Sequence, residues 1–460
     1  MKLRAYPKYR ASGIDWLGNV PEHWQTRRLK TSARCWVSNV DKVPSDDELP
    51  VRLCNYTDVY YNERITPSMP LMETTATVDE IRRFHLERGD VVITKDSEEW
   101  SDIAVPALIA ETADDFVCGY HLGITRPKKN ELLGEYLLRA FQACAINQQF
   151  QVAATGVTRY GLPKSAIGDA WLPFPPPEEQ RAIADFLDGQ TARLDTLVGN
   201  KRELIQKLKE KRTALISRTV TRGLNPNVKL KPSGIEWLGD IPEHWEAAQL
   251  RRKSIVLDCK HKTVSFIDDG FPIVSIREVH GFEVDLSDAK KTTEEEYLEM
   301  IEGERDPRVG DIIYSRNATV GDAAQVTTKE RFCLGQDVCL IRASKHYSRY
   351  LLYLFRSAPL TEQVDSLMIG STFRRINVGQ IKAFWISVPP VEEQRAIADY
   401  LDHETAKIEK MIEKVEAAIE KLQEYRAALI TAAVTGKIDV RKAAESAAST
   451  PPQAASTLRV

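Results

Sequence analysis

Cysteine is sparse and unpatterned in this sequence: seven residues in 460, an odd number, with no Cys-x-x-Cys pair. That gives little support to a disulfide framework and offers no zinc-ribbon spacing, so each thiol reads as a small buried hydrophobe in a protein of the reducing cytoplasm. Long apolar runs are missing as well. Nothing approaches the roughly 18 residues a membrane span needs, and the basic stretch from Met1 to Gly13 has no apolar run behind it, so it does not read as a secretory signal.

Excess positive charge is also lacking. A net charge of −3 argues against a protein that coats DNA by bulk electrostatics and leaves only a local basic patch for that purpose. There is no Gly-x-x-x-x-Gly-Lys-[Ser/Thr] phosphate loop, no glycine-rich dinucleotide fingerprint, and no Asn-Pro-Pro-Tyr motif of the adenine methyltransferases. ATP hydrolysis or methyl transfer by this chain alone is therefore not expected. The histidines show no metal-ligand spacing, so neither a metal nor a cofactor is expected here.

What is present is a repeat. Ser12-Gly-Ile-Asp-Trp-Leu-Gly-Asn-Val-Pro-Glu-His-Trp24 returns as Ser233-Gly-Ile-Glu-Trp-Leu-Gly-Asp-Ile-Pro-Glu-His-Trp245, with three conservative differences. Glu178-Glu-Gln-Arg-Ala-Ile-Ala-Asp-Phe-Leu-Asp188 returns as Glu392-Glu-Gln-Arg-Ala-Ile-Ala-Asp-Tyr-Leu-Asp402, with one difference. The first pair lies 221 residues apart and the second 214. Between these blocks the chain diverges, with weak echoes only: Gly89–Lys95 with Gly310–Arg316, and Gly156–Tyr160 with Gly370–Arg374. Each unit is large enough to hold its own core. His23 and His244, each followed by a Trp, read as residues that dock the repeated arm rather than as ligands.

The second block opens a helix in both copies. Prolines close what precedes it, and paired glutamates occupy its first turn, where the helix dipole favours negative charge. Heptad spacing follows, through Leu187, Leu194, Leu208 and Leu215, with Leu197 and Leu204 on the alternate seam. The second copy runs through Leu401, Ile408, Val415, Leu422 and Leu429, with Met411, Ala418 and Tyr425 alternating. Such a seam buries one stripe against another helix, and at about 1.5 Å per residue roughly 40 residues make a rod of about 60 Å. Intrachain antiparallel pairing is the simplest arrangement, and pairing between chains is the alternative. Gly223 and Gly436 mark the helix stops. The Lys- and Arg-rich face from Lys201 to Arg222 reads either as a solvated surface or as a DNA-backbone contact.

The fold class read from these features is α+β: two globules of mixed α and β, two long antiparallel coiled-coil helices, and a pseudo-two-fold internal repeat. The divisions are an arm (1–24), a globule (25–174), a long helix (175–223), a linker and second arm (224–245), a second globule (246–387) and a second long helix (388–440). A disordered Ala-, Ser-, Thr- and Pro-rich tail (441–460) ends the chain. Val91–Thr94 and Ile312–Ser315 read as strands. Glu135–Gln142 and Arg349–Arg356 read as matching helices.

A Pro-Pro-x-Glu-Glu-Gln-Arg-Ala-Ile-Ala helix start, used twice after two divergent globules, resembles the specificity subunits of type I restriction–modification systems, as does the repeated Pro-Glu-His-Trp arm. The resemblance covers residues 1–440. It implies that each globule is a target recognition domain reading one half of an asymmetric, bipartite site in double-stranded DNA. It implies further that the helices act as spacer and dock two methyltransferase subunits, that restriction/translocase subunits complete the complex, and that S-adenosylmethionine, ATP and Mg²⁺ belong to those partners. Candidate DNA contacts are Lys95, Arg126, Arg159 and Tyr160 in the first globule, and Arg316, Asn317, Arg374 and Arg375 in the second. Arg and Asn suit bidentate contacts to guanine and adenine, and surface charge or intradomain pairing is the competing reading for each. Other readings of the whole chain are a coiled-coil adaptor that never touches DNA, and the reader of a related methylation or phage-defence complex.

Overall fold

The computed structural model describes residues 4–343, 346–368 and 375–441. Arg374, the Gly370–Arg374 echo and the tail from residue 442 onward lie outside the described residues. The chain divides into two units, one formed by residues 1–200 with 417–460, the other by residues 201–416. Each unit therefore combines one globule with the halves of two different helices.

The long helices run Pro177–Arg222 and Val391–Val434. Pro177 lacks the N–H that a first-turn residue would leave unpaired, and Glu178 and Glu179 complement the dipole. Both stops are glycines in the left-handed region, Gly223 at φ +73° and Gly436 at φ +71°. A side chain at either would also strike an arm: a Cβ at Gly436 would come within 2.4 Å of Pro21, and one at Gly223 within 3.1 Å of Trp245.

Within each unit the helix halves run antiparallel. In the first unit Arg426 Nε donates to Asp195 Oδ1 at 3.1 Å, while Arg441 reaches back to Glu179 at 3.5 Å. In the second, Arg212 Nη1 donates to Glu409 Oε2 at 2.7 Å, and Arg222 and Gly223 line a cavity with Glu393 and Ile397. The heptad reading needs correction at one seam. Leu187, Leu194, Leu401, Ile408 and Leu429 are buried, but Leu197, Leu204, Met411 and Tyr425 are exposed. Ile183, Ile216, Ile412 and Ile430 are buried in their place. The reason is that each helix half packs against a globule as well as a helix, which turns the apolar stripe away from a pure two-helix seam.

In the first globule a five-stranded sheet is ordered Ala33–Val37, Leu122–Pro127, Val91–Thr94, Pro106–Ile109, Arg64–Ile65, antiparallel except for the last pair. Val91–Thr94 is buried at every position, as its unbroken β-branched run requires. A three-stranded sheet, Phe116–Cys118, Leu49–Cys54 and Met72–Ala76, adds a second core. The second globule repeats the plan with fewer strands: Ser254–Asp258, Val338–Ala343, Ile312–Ser315 and Ala323–Gln325, all antiparallel, beside a separate three-stranded sheet. The expected helices are Gly134–Gln142 and Ser348–Phe355.

The repeated sequence blocks are two halves of one joint. Glu179 accepts from His23 Nε2 at 2.7 Å and from Trp24 Nε1 at 2.9 Å; Glu393 accepts from His244 Nε2 at 2.6 Å and from Trp245 Nε1 at 2.9 Å. The adjacent Gln180 and Gln394 each accept an N–H at the start of the globule helix, from Leu133 and Tyr347. The histidines thus dock the arms, and the Glu-Gln pair fixes arm, long helix and globule together. Arg441, assigned from sequence to a disordered tail, is pinned here by Asp439 and stacks on Tyr6.

Candidate nucleic-acid interface

Backbone hydrogen bonds align the two globules residue by residue at one crossing point. Lys95 N donates to His121 O at 2.9 Å, and Leu162 N donates to Lys95 O at 2.9 Å. In the second globule Arg316 N donates to Asp337 O at 2.8 Å, and Ile376 N to Arg316 O at 3.0 Å. Lys95 thus corresponds to Arg316, His121 to Asp337, and Leu162 to Ile376. The next residues pair likewise, Asp96 with Gly161 and Asn317 with Arg375. His121 and Asp337 sit in the left-handed region, at φ +72° and +64°. Non-glycine residues adopt it uncommonly, and such positions cluster where a loop is shaped for a task.

This frame gathers most of the sequence candidates and changes the standing of two. In the first globule, Lys95 Nζ lies 3.0 Å from Asp96, which also meets His121 Nδ1. Arg159 is exposed beside them, and its charge acts on His121 and Tyr56. Burial is the largest influence on His121 and lowers its pKa, so the ring tends to the neutral form and offers one donor and one acceptor. Tyr160 is half-buried and packs against the core, with its backbone paired to Ser97.

In the second globule, Asn317 Nδ2 donates to Asp337 Oδ2 at 3.2 Å, and Arg375 lies 3.4 Å from Asp337 Oδ1. Arg375 is the more exposed of the two partners. Arg316, by contrast, is 3% exposed and turned inward, 2.9 Å from Asp258 Oδ1 and 3.6 Å from Cys259 Sγ. Its backbone builds the crossing, but its guanidinium faces the interior rather than a ligand groove. That is a correction: a side chain held between a carboxylate and a thiol in the interior is not presented to DNA.

Arg126 is corrected for a clearer reason. Its Nε and Nη2 donate to the two oxygens of Asp90, both at 2.8 Å, and Nη2 also donates to His85 O at 2.8 Å. Glu87 takes Nη1, and the guanidinium lies over Trp36. The second globule reproduces this pair in Arg342, whose Nη2 donates to Asp311 Oδ2 at 2.8 Å. Burial works to lower the Arg126 pKa, but hydrogen bonds and charge from Asp90 and Glu87 outweigh it and raise it. A bidentate pair kept in both globules is a strut of the sheet.

Sequence reasoning missed His121, Asp96 and Asp337. A signal existed: Gly119-Tyr-His121 and Gly335-Gln-Asp337 occupy matching turns, and a Cβ would come within 2.8 Å of Cys54 O at Gly119 and within 2.2 Å of Ser275 Oγ at Gly335. The sequence reading also placed no metal ligands together. Among the described residues, Asp258, Cys259 and His261 bring donor atoms within 4.8 Å of one another. Arg316 already contacts two of these three and opposes a cation there.

The sequence model of the type I restriction modification DNA specificity domain matches residues 37–209 and again 250–421. The chain belongs to this family of specificity subunits. It is 23% identical over 429 residues to the putative type I restriction enzyme MjaX specificity subunit of Methanocaldococcus jannaschii, covering 92% of this chain and 96% of that one. It is also 23% identical over 341 residues to the EcoKI specificity subunit of Escherichia coli K12, covering 71% and 70%. In fold it resembles a chain from a structure described as bearing on complex assembly and conformational transition of the type I R-M system. There the TM-score is 0.69 at 15% identity, over 91% of this chain and 99% of that chain. It also resembles the HsdS subunit of Thermoanaerobacter tengcongensis, with a TM-score of 0.50 at 17% identity over 91% and 98%. Like its relatives this chain is a specificity subunit, not itself the catalyst. None of its described helices is long and apolar enough to cross a membrane.

Proposed function

We propose that each globule reads one half of an asymmetric, bipartite sequence in double-stranded DNA, and that it reads it at the backbone crossing just described. One observation carries the reading: the same frame of hydrogen bonds presents different polar groups in the two globules. The first offers Lys95, Asp96, His121 and Arg159, the second Asn317, Asp337 and Arg375. Base identity is read by donors and acceptors at base edges, so a kept frame with exchanged head groups fits two unlike half-sites. Arg374 stays in the proposed set on its sequence position alone.

The long helices serve in this reading as the spacer between half-sites and as the dock for two methyltransferase subunits, with restriction/translocase subunits joining them. The exposed apolar residues Leu197, Leu204, Met411 and Tyr425 support the docking role, because water-facing hydrophobes repeated at heptad spacing suit a partner helix. S-adenosylmethionine, ATP and Mg²⁺ act on those partners, and the cytoplasm is the proposed setting.

The test is a methylome. The chain is co-expressed with its methyltransferase partner in a methylation-free host, and modified adenines are mapped by single-molecule sequencing. A split motif with a fixed gap, lost when this chain is omitted, is expected. Modification that is indifferent to the chain would favour the adaptor reading.

A further inference from the structure

One side chain at the first globule's crossing is held from both ends. The His121 carbonyl accepts from Lys95 N at 2.9 Å, and its Nδ1 bonds Asp96 Oδ2. Asp96 is fixed in turn. Its backbone pairs with Gly161, and Lys95 Nζ lies 3.1 Å from its Oδ1 and 3.0 Å from its Oδ2. The far ring nitrogen, Nε2, is bonded by no described residue, and the His121 side chain keeps 19% of its surface exposed.

That arrangement decides the tautomer. Burial works to raise the Asp96 pKa, but hydrogen bonds and charge from Lys95 and His121 outweigh it and hold the carboxyl below its ordinary range. An ionised carboxylate only accepts, so Nδ1 carries the ring proton toward it. Burial is the largest influence on His121, and with the cations Arg159 and Lys95 it outweighs the pull of Asp96 and keeps the ring neutral. A neutral ring protonated at Nδ1 has a bare Nε2, which is an acceptor and nothing else.

DNA offers such an acceptor few partners. Phosphate oxygens and the base atoms N7, O6 and O4 only accept. The donors at base edges are exocyclic amino groups: adenine N6 and cytosine N4 in the major groove, guanine N2 in the minor. We propose that His121 Nε2 accepts from an exocyclic amino group of one base in the first globule's half-site, and that Asp96 sets this choice by holding the proton on Nδ1. The proposal rests on readout at the crossing. A lysine or arginine in the same place would select the opposite set, guanine O6 and N7. Asp337, which matches His121 in the second globule, is an acceptor too, but its carboxylate already meets Asn317 and Arg375, so the first globule alone carries the inference.

Competition binding by the complex with the methyltransferase subunit tests this, at fixed salt, on duplexes carrying the motif that the methylome defines. Each adenine is replaced in turn by purine, each cytosine by 2-pyrimidinone and each guanine by hypoxanthine, which deletes N6, N4 or N2. One deletion in one half-site is expected to cost the unaltered complex roughly three- to tenfold in affinity through a lost hydrogen bond. The base that shows it names the amino group. His121→Gly, which suits the left-handed backbone, should lose that penalty at that position alone. The weakened base pair is common to all the complexes and cancels. Asp96→Asn probes the tautomer: its amide oxygen stays with Lys95 and its NH₂ faces Nδ1, which moves the ring proton to Nε2, so the same penalty should vanish there as well. If no deletion is relieved by either variant while the motif is still bound, the proposal is overturned. A complex that does not prefer its motif to unrelated duplex would instead remove the readout beneath it. If His121→Gly does not fold, Asp96→Asn decides alone.

Discussion

Trp24 Nε1 donates to Glu179 Oε2 at 2.9 Å across 155 residues of sequence, and in the first unit that carboxylate is nearly sealed, with 11% of its side chain exposed. Tyr6 OH adds a third hydrogen bond at 3.1 Å and Arg441 an ion pair. Among the described residues its counterpart Glu393 holds only His244 and Trp245, and it is 41% exposed. Truncation should therefore cost unequally. Glu179→Ala leaves the two buried donors, Trp24 Nε1 and Tyr6 OH, unpaired and is expected to lose on the order of 3 kcal/mol, while Glu393→Ala, with water at hand, loses about 1 kcal/mol. Denaturant titration followed by tryptophan fluorescence checks this, and equal losses would refute the burial argument.

The Asp90–Arg126 pair makes a different prediction. Asp90 is 1% exposed, so Arg126→Ala strands a carboxylate in the sheet and should destabilise by on the order of 3 kcal/mol. Adding Asp90→Asn should recover part of the loss. The methylation motif should not change in any variant that still folds. A changed base preference with unchanged stability would return Arg126 to the DNA-contacting set.

These two pairs show what was legible in the sequence. The arm and helix blocks are nearly identical between repeats because each serves one joint: Trp24 with Glu179, and Trp245 with Glu393. Repetition exposed them without any structure. The heptads located both helices, yet Leu197 and Leu204 obey the spacing and face water, since periodicity does not report which face a globule covers. Arg126 stood among the candidate DNA contacts, with intradomain pairing as its competing reading, because its partner lies 36 residues away, across a strand pairing that no local pattern encodes. His121 and Asp337 were overlooked for a related reason: a reading position built from backbone hydrogen bonds leaves only a Gly-x-[His/Asp] trace.

Readout at the crossing point should be separable by half-site. Asn317→Ala or Arg375→Ala should relax one half of the methylated motif and leave the other intact, and Arg159→Ala should act on the opposite half alone. A lost bidentate base contact costs about 1–3 kcal/mol of discrimination, or roughly ten- to hundredfold in site preference. The methylome of each variant is the measurement. A uniform loss at all sites would mean that these residues touch phosphate rather than bases.

The two units should also differ in their response to acid. His346 sits where the first repeat has the buried Leu132, and its Nδ1 faces Gln394 Nε2 at 2.8 Å. Gln394 cannot turn to offer oxygen, because Oε1 accepts from Tyr347 N and Nε2 also donates to Pro389 O. The ring is thus held as an acceptor, which requires the neutral form. Burial is the largest influence and lowers the His346 pKa below its ordinary value. The unfolded chain, with its histidine at about 6.5, therefore takes up the proton first as pH falls. The stability this site contributes is complete above that ordinary value and is lost as the pH drops from there toward the depressed one. His346→Leu, which copies the first repeat, should flatten the dependence of the unfolding midpoint between pH 7 and pH 5 without lowering it at pH 7.5. An unchanged slope in that variant would place the acid sensitivity elsewhere, with the neighbouring Glu246 as the next group to replace.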